Sequence, residues 1–238
     1  MVFYDGGYFR QGQVYFRYKD NRGWFSLPEL HGLFEKYVAS KTKSPMETTK
    51  LVAAHFYEGR ASTRAIETDQ LEKERDFEMA LISAGIVPHY LAASETLKPG
   101  SPTDTPEFWL AEKGVDVKYA LDVLDYAHTD RFDVAVLVTG DGDFVPLVRK
   151  ITSLGKQALI AHFDFDAWVD SRGSSHRPNR ASKGLIDAAS WSLNFNHIVK
   201  DQDWKTEVKA LFFMPKVRAE TKPYPDAAPA AADSQRRS

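Results

Sequence analysis

The chain has 238 residues, 43% hydrophobic and 13% aromatic, enough for one large domain or two small ones with a real core, which excludes disorder throughout. Lys and Arg number 31 against 33 Asp and Glu, a net charge of -2, so no global positive field collects nucleic acid and any such contact must be a local patch. Cysteine is absent, which excludes disulfides, thiolate metal sites and cysteine nucleophiles, and suits a reducing cytoplasm.

The start, "MVFYDGGYFRQ", has neither the basic residues nor the apolar run of a signal peptide, and no apolar run approaches the length of a membrane span. A cytoplasmic protein without membrane contact is expected. "VFYD", residues 2 to 5, reads as a short strand stopping at Asp5. Residues 10 to 49 exceed what one helical crossover needs, so a loop followed by a helix near 27 to 39 is expected. "KLVAAHFYEGR", 50 to 60, reads as a strand; 67 to 85 reads as a helix carrying Leu71, Phe77, Leu81 and Ala84 and stopped by Gly85. "GIVPHYLA", 85 to 92, is a further strand. The helix of 115 to 128 places Val117, Ala120, Leu121, Leu124 and Ala127 on its apolar stripe, with Lys118, Asp122 and Asp125 opposite. "VAVLVTGDGD", 134 to 143, is an apolar strand that ends in two aspartates. The helix of 144 to 155 takes Pro146 in its first turn, and "ALIAHFDFD", 158 to 166, is the last strand. Residues 201 to 218 form a C-terminal extension whose Trp204, Leu211, Phe212 and Phe213 pack back on the domain or meet a partner. The Ala- and Pro-rich residues 219 to 238 are expected to be disordered.

Strands apolar on both faces, alternating with helices, indicate an α/β fold with a mostly parallel sheet covered on both sides, as a single domain over residues 1 to 200. Such sheets bind ligands outside the carboxyl ends of their strands, which puts Asp5, Asp141 and Asp143 on one edge. Asp116, near a helix start, joins them as a ligand or serves as a cap; Asp5 alone could be a turn residue before Gly6 and Gly7. Gly142 lets the backbone turn so that Asp141 and Asp143 share one space, and like charges that close call for a cation. With no cysteine, and no two histidines at metal spacing on one predicted helix, an oxygen-only site suits Mg2+ or Mn2+ rather than zinc. An EF-hand reading of "DGDFVPLVRKIT" fails at Pro146 and Thr152, where glycine and glutamate are required. "ALIAHFDFDAW", with Asp164 and Asp166, resembles the start of haloacid-dehalogenase-type phosphohydrolases, but Trp168 replaces the small residue and the GD segment lies before the motif instead of after it.

The succession "VFYDGGYF", "EKGVDVKYALDVL", "VLVTGDGDFVPLV" and "LGKQALIAHF" resembles the NYN-domain proteins, the LabA-like branch of the PIN-like nuclease superfamily, over about residues 1 to 200. The resemblance implies a Rossmann-like sheet, an acidic cluster that binds magnesium or manganese, and ribonuclease activity on an RNA substrate. Matched position by position, Asp5, Asp116, Asp141 and Asp143 are the implied metal-binding and catalytic residues, and Thr139 fills the Ser or Thr position before the glycine. Tyr8 departs from the pattern, standing where many members have asparagine; its hydroxyl could bond a metal-bound water but is a poorer direct ligand. Asp122 is turned away from Asp116 and read as solvent-facing or paired with Lys118. Lys113, Lys118, Arg10 and Arg149 are candidate phosphate contacts or ordinary surface charges, and Tyr4, Tyr8 and Phe9 are candidates for base stacking or core. Three readings result: a metal-dependent ribonuclease, a catalytically impaired RNA-binding or regulatory PIN-like module, and a haloacid-dehalogenase-type phosphatase. Delivery by a protein partner, or a homo-oligomer, is compatible with the first two.

Overall fold

The computed structural model describes residues 1–60, 68–97, 99, 108–111, 113–171 and 173–214. Six strands, β1 (Val2–Asp5), β2 (Ala54–Arg60), β3 (Ile86–Ala92), β4 (Val134–Val138), β5 (Gln157–His162) and β6 (Trp191–Asn194), form one sheet. Its order is β6-β5-β4-β1-β2-β3, and every pairing is parallel. The chain first builds outward from β1 through β2 to β3, then returns to the other side of β1 and builds outward again. The order therefore reverses between β1 and β4, which is the position where doubly wound sheets open a crevice at the carboxyl ends of their strands.

Alternation along each strand divides the core. Val2, Tyr4, Val136, Val138, Leu159 and Ala161 face one layer, and Phe3, Ala135, Leu137, Ala158 and Ile160 face the other. The first layer is covered by α1 (Gly6–Tyr18), α2 (Leu27–Thr42) and α3 (Thr68–Ser83); the second by α4 (Val115–His128), α5 (Val145–Ser153) and α6 (Lys183–Ala188). Rings dominate the first layer: Phe163 stacks on Phe195 with centroids 5.0 Å apart, and Phe25 lies 5.3 Å from both Phe16 and Phe195. Each such phenylalanine, taken from water to full burial, contributes about 1.5–3 kcal/mol.

Several expectations change. Residues 10 to 18, expected as loop, belong to α1, which starts directly after β1 because the Asp5 side chain accepts the Tyr8 N–H and caps it. The glycine pair that reads as a turn is instead the first turn of this helix, and Gly6 is required there: a Cβ would meet the Tyr57 carbonyl oxygen at 2.6 Å. The apolar stripe of α4 also differs. Val115, Tyr119, Val123 and Ala127 are buried, while Val117 and Leu121 are 61% and 59% exposed. Tyr119 decides the rotation, because its ring packs on Phe144 at 4.7 Å and its hydroxyl donates to the Phe3 carbonyl at 3.1 Å. A further strand, β6, lies where no strand was expected.

After β6 a short helix, α7 (Phe195–Ile198), leads into residues 201–214, where α8 (Lys205–Leu211) packs against α2, with Lys36 bonded to Glu207 at 2.8 Å. Phe212 and Phe213 then pair antiparallel with Phe25 and Trp24. The expected disorder of 219 to 238 falls outside the described residues.

Candidate active site at the carboxyl edge

Asp5 ends β1 and Thr139 follows β4, so the two meet across the reversal point although they are 134 residues apart in sequence. Thr139 is fully buried and its hydroxyl donates to Asp5 Oδ2 at 3.0 Å, while Asp5 Oδ1 accepts the Tyr8 N–H at 3.1 Å. The same threonine oxygen accepts the Asp141 N–H at 3.3 Å. Asp141 Oδ1 in turn accepts the Asp143 N–H at 2.9 Å, capping the short 3-10 turn of Gly142–Phe144. A chain of hydrogen bonds thus runs from Asp5 through Thr139 and Asp141 to the Asp143 N–H, and the carboxylates of Asp5 and Asp141 are each held by a backbone N–H.

Asp116 reaches the group from α4, in whose first turn it sits after Gly114 at φ +78°. Partial desolvation and then the charges of Asp141 and Asp143 raise its carboxyl above the ordinary 3.8. Asp5 and Asp116 both act on the fully buried Tyr119 hydroxyl, whose pKa is raised chiefly by burial and further by these two carboxylates. Asp141 and Asp143 are therefore close enough to Asp116 for their charges to act on it, and Asp5 is linked to Asp141 through Thr139. As the side chains lie, no group of three or more His, Asp or Glu among the described residues is spaced to hold a metal ion. The donor set is all oxygen and crowded with like charge, which suits a hard divalent cation; gathering the carboxylates around one requires side-chain rotation.

Tyr8 occupies the floor of this edge. Its hydroxyl accepts the Phe163 N–H at 2.8 Å, and its ring lies so close to Gly140 that a Cβ there would fall 2.7 Å from the ring. Burial, with Asp5 and Asp164 nearby, raises its pKa. The hydroxyl is thereby committed to the backbone at the end of β5 and acts as a strut between α1 and β5.

The expected phosphate contacts separate into two groups. Arg10 is bound bidentately by Glu58, is also bonded to Glu74 at 2.6 Å, and lies 4.2 Å over the Phe77 ring, so it braces β2 and α3. Lys118 pairs with Asp122 at 2.6 Å, and Asp122 also accepts the Tyr57 hydroxyl at 3.0 Å; Asp122 is thus the Lys118-paired residue and more enclosed than a solvent-facing one. Lys113 and Arg149 are exposed. Tyr4 and Phe9 are fully buried and cannot stack bases. Asp164 and Asp166 both lie against Arg180, on a short ladder that pairs residues 164–165 with 179–180.

The NYN-domain family model matches residues 2–189. The chain belongs to the NYN-domain family. That membership places it in the PIN-like nuclease superfamily and covers every element that carries the acidic edge. A crystal structure of a protein of unknown function from Vibrio parahaemolyticus is 22% identical, with 85% of this chain and 92% of that one covered and a TM-score of 0.47. No curated protein matches the chain. As an NYN-domain protein it is nuclease-like in its family, and the family generally uses divalent metals and acts on RNA. No described helix is long and apolar enough to cross a membrane. Tyr119 and Ser182, which no sequence expectation included, also belong to this edge. Ser182 donates its N–H to the Gly140 carbonyl at 2.9 Å, and its hydroxyl lies 2.9 Å from where a Cβ on Gly142 would be. No motif marks either one; their role follows from α4 rotation and from the loop before α6.

Proposed function

We propose that this NYN domain hydrolyses RNA phosphodiester bonds with a magnesium or manganese ion held by Asp5, Asp116, Asp141 and Asp143. The observation that carries the reading is the crowding of Asp116 by Asp141 and Asp143 at the sheet reversal, beside Asp5. Uncompensated carboxylates at such spacing cost stability, so their retention at one edge is economical if a cation joins them. When bound, that cation supplies Lewis-acid neutralisation of the scissile phosphate and eases deprotonation of the attacking water. The chain's own contribution is positioning. Thr139 and the Tyr8 N–H orient Asp5, Asp141 is held by capping the 3-10 turn, and Asp143 and Asp116 are exposed to solvent. No protein nucleophile is needed.

The test uses single-stranded RNA incubated with the full chain in manganese, in magnesium and in chelator, beside Asp141→Asn and Asp116→Asn. Cleavage in metal that falls at least ~100-fold in either variant is the expected result, in the range for loss of a group acting on the reacting centre. Cleavage that persists in chelator, or unchanged in both variants, would overturn the assignment.

A second reading is supported by Asp5, both of whose oxygens accept hydrogen bonds, and by Tyr8, whose hydroxyl is committed to Phe163. On this reading the edge binds RNA without turnover. It predicts RNA binding with no cleavage in any divalent metal.

A further inference from the structure

The net charge of -2 leaves RNA binding to a local patch, and the acidic edge by itself repels phosphate. A cavity of about 520 Å³ lies where the C-terminal segment folds back beside Arg22. It is lined by Arg22, Lys200, Lys205 and Lys209 against a single carboxylate, Asp201. Val208 and Phe212 form its floor, and Phe212 is held by its pairing to Phe25 with ring centroids 4.7 Å apart.

Three features set these cations apart from ordinary surface lysines. Lys205 and Lys209 stand four residues apart on α8, so their side chains share one face, an arrangement of like charges that disfavours the helix. Lys200 joins them from the turn after α7, and among the described residues no carboxylate pairs with any of the three. The carboxylates close by are used otherwise: Asp201 caps the turn of Gln202–Trp204 through the Asp203 N–H, Asp20 is bonded to Arg22 Nε at 2.5 Å, and Glu207 is bonded to Lys36. The cavity therefore gathers three lysines that the fold itself leaves unpaired, while Arg22 is paired with Asp20.

We infer that this groove, built by the C-terminal segment on α1 and α2, binds the sugar-phosphate backbone of single-stranded RNA and leads it to the acidic edge. The segment leaves β6 at the same carboxyl edge that carries Asp5 and Asp141, with β6 two strands from β4 and three from β1. At ~4.8 Å per strand, β6 itself lies about 10–15 Å from β4 and β1, and the groove begins at Val199, a few residues beyond the end of that strand. The inference rests on the proposed function for what happens to the RNA once delivered, but the groove can be judged by binding alone.

The experiment measures anisotropy of a labelled single-stranded RNA with the full chain in chelator, across a salt series. The variant combines Lys200→Ala, Lys205→Ala and Lys209→Ala, and a second combines the same positions changed to Arg. The alanine variant should bind at least ~10-fold more weakly, with the slope of log affinity against log salt reduced by about 2, as three lost phosphate contacts on a single strand require. The arginine variant should bind as the native chain does. In manganese, cleavage of a dinucleotide should be equal in all three proteins, because that substrate is too short to reach the groove. Equal RNA affinity and salt slope in the native and alanine proteins would overturn the groove. Tighter binding of polyglutamate than of RNA by the native chain would also overturn it, in favour of an acidic protein partner. A native chain that cleaves neither substrate, yet loses RNA affinity in the alanine variant, would remove the hydrolysis reading and leave the groove standing.

Discussion

Asp116 is the residue where the site's electrostatics are most exposed to experiment. Its carboxyl is raised by partial desolvation and by Asp141 and Asp143, so at neutral pH its ionised form is disfavoured in the folded state relative to the unfolded one. A raised carboxyl makes the metal-free fold gain stability as pH falls through its titration, the reverse of an ion-paired aspartate. Asp116→Asn should therefore raise Tm in chelator at pH 7, a gain that shrinks as pH falls into the carboxylate range. Scanning calorimetry in chelator checks this, and adding manganese should raise Tm more in the native chain than in the variant. Tyr8 gives a complementary prediction. Tyr8→Phe keeps the ring against Gly140 but leaves the Phe163 N–H without its partner, which costs about 1–3 kcal/mol. A urea midpoint unchanged from the native value would show that the strut contributes nothing.

At the scale of elements, α1 is tied at both ends of its packing. Asp5 caps it, and Gly12 lies flat against the Phe163 ring, so that a Cβ at this position would enter the ring. Gly12→Ala should therefore destabilise by about 1–3 kcal/mol through overpacking, despite the higher helix propensity of alanine. An increase in Tm would refute that account. The helix itself was hidden in the sequence because "DGGY" carries turn residues, and only the close approach of Gly6 to the Tyr57 carbonyl explains why glycine stands there. The rotation of α4 was hidden for a different reason. Aliphatic periodicity favoured Val117 and Leu121, whereas the buried face is set by one tyrosine whose hydroxyl finds a backbone carbonyl. β6, four residues of "WSLN", is too short and mixed to carry a strand pattern and exists because β5 offers it an edge.

Across the whole molecule, buried histidines set the acid limit. His31 and His55 are pushed down to about 4 chiefly by burial, and His89 and His162 are lowered for the same leading reason. His55 also meets His89 across β2 and β3 with ring nitrogens 3.1 Å apart, so at most one can be charged without repulsion. Groups with depressed folded pKa values contribute stability that is present above the unfolded value of 6.5 and lost as pH falls toward about 4. Tm should fall steadily from pH 7 to pH 4.5, and His55→Gln should flatten that fall. A native profile that is level over this range would refute the histidine account.

Composition and patterning by themselves determined the layered α/β class and five of the six strands of the central sheet, because a sheet buried on both faces requires continuous apolar runs between helices. They also marked the strand-end aspartates and the helix-start Asp116, since those positions follow local grammar. What only the tertiary structure decided is adjacency: that β1 and β4 are neighbours at the reversal, so that Thr139 bonds Asp5, and that α4 turns Asp116 toward Asp141 and Asp143. The same holds for charge. The sequence sums to -2, yet the fold assigns the lysines of residues 200 to 209 to one cavity and ties Arg10 into a carboxylate brace. Local patterning records which faces avoid water, while contacts between distant segments are set by how whole elements pack, and a site made of four such segments is decided there.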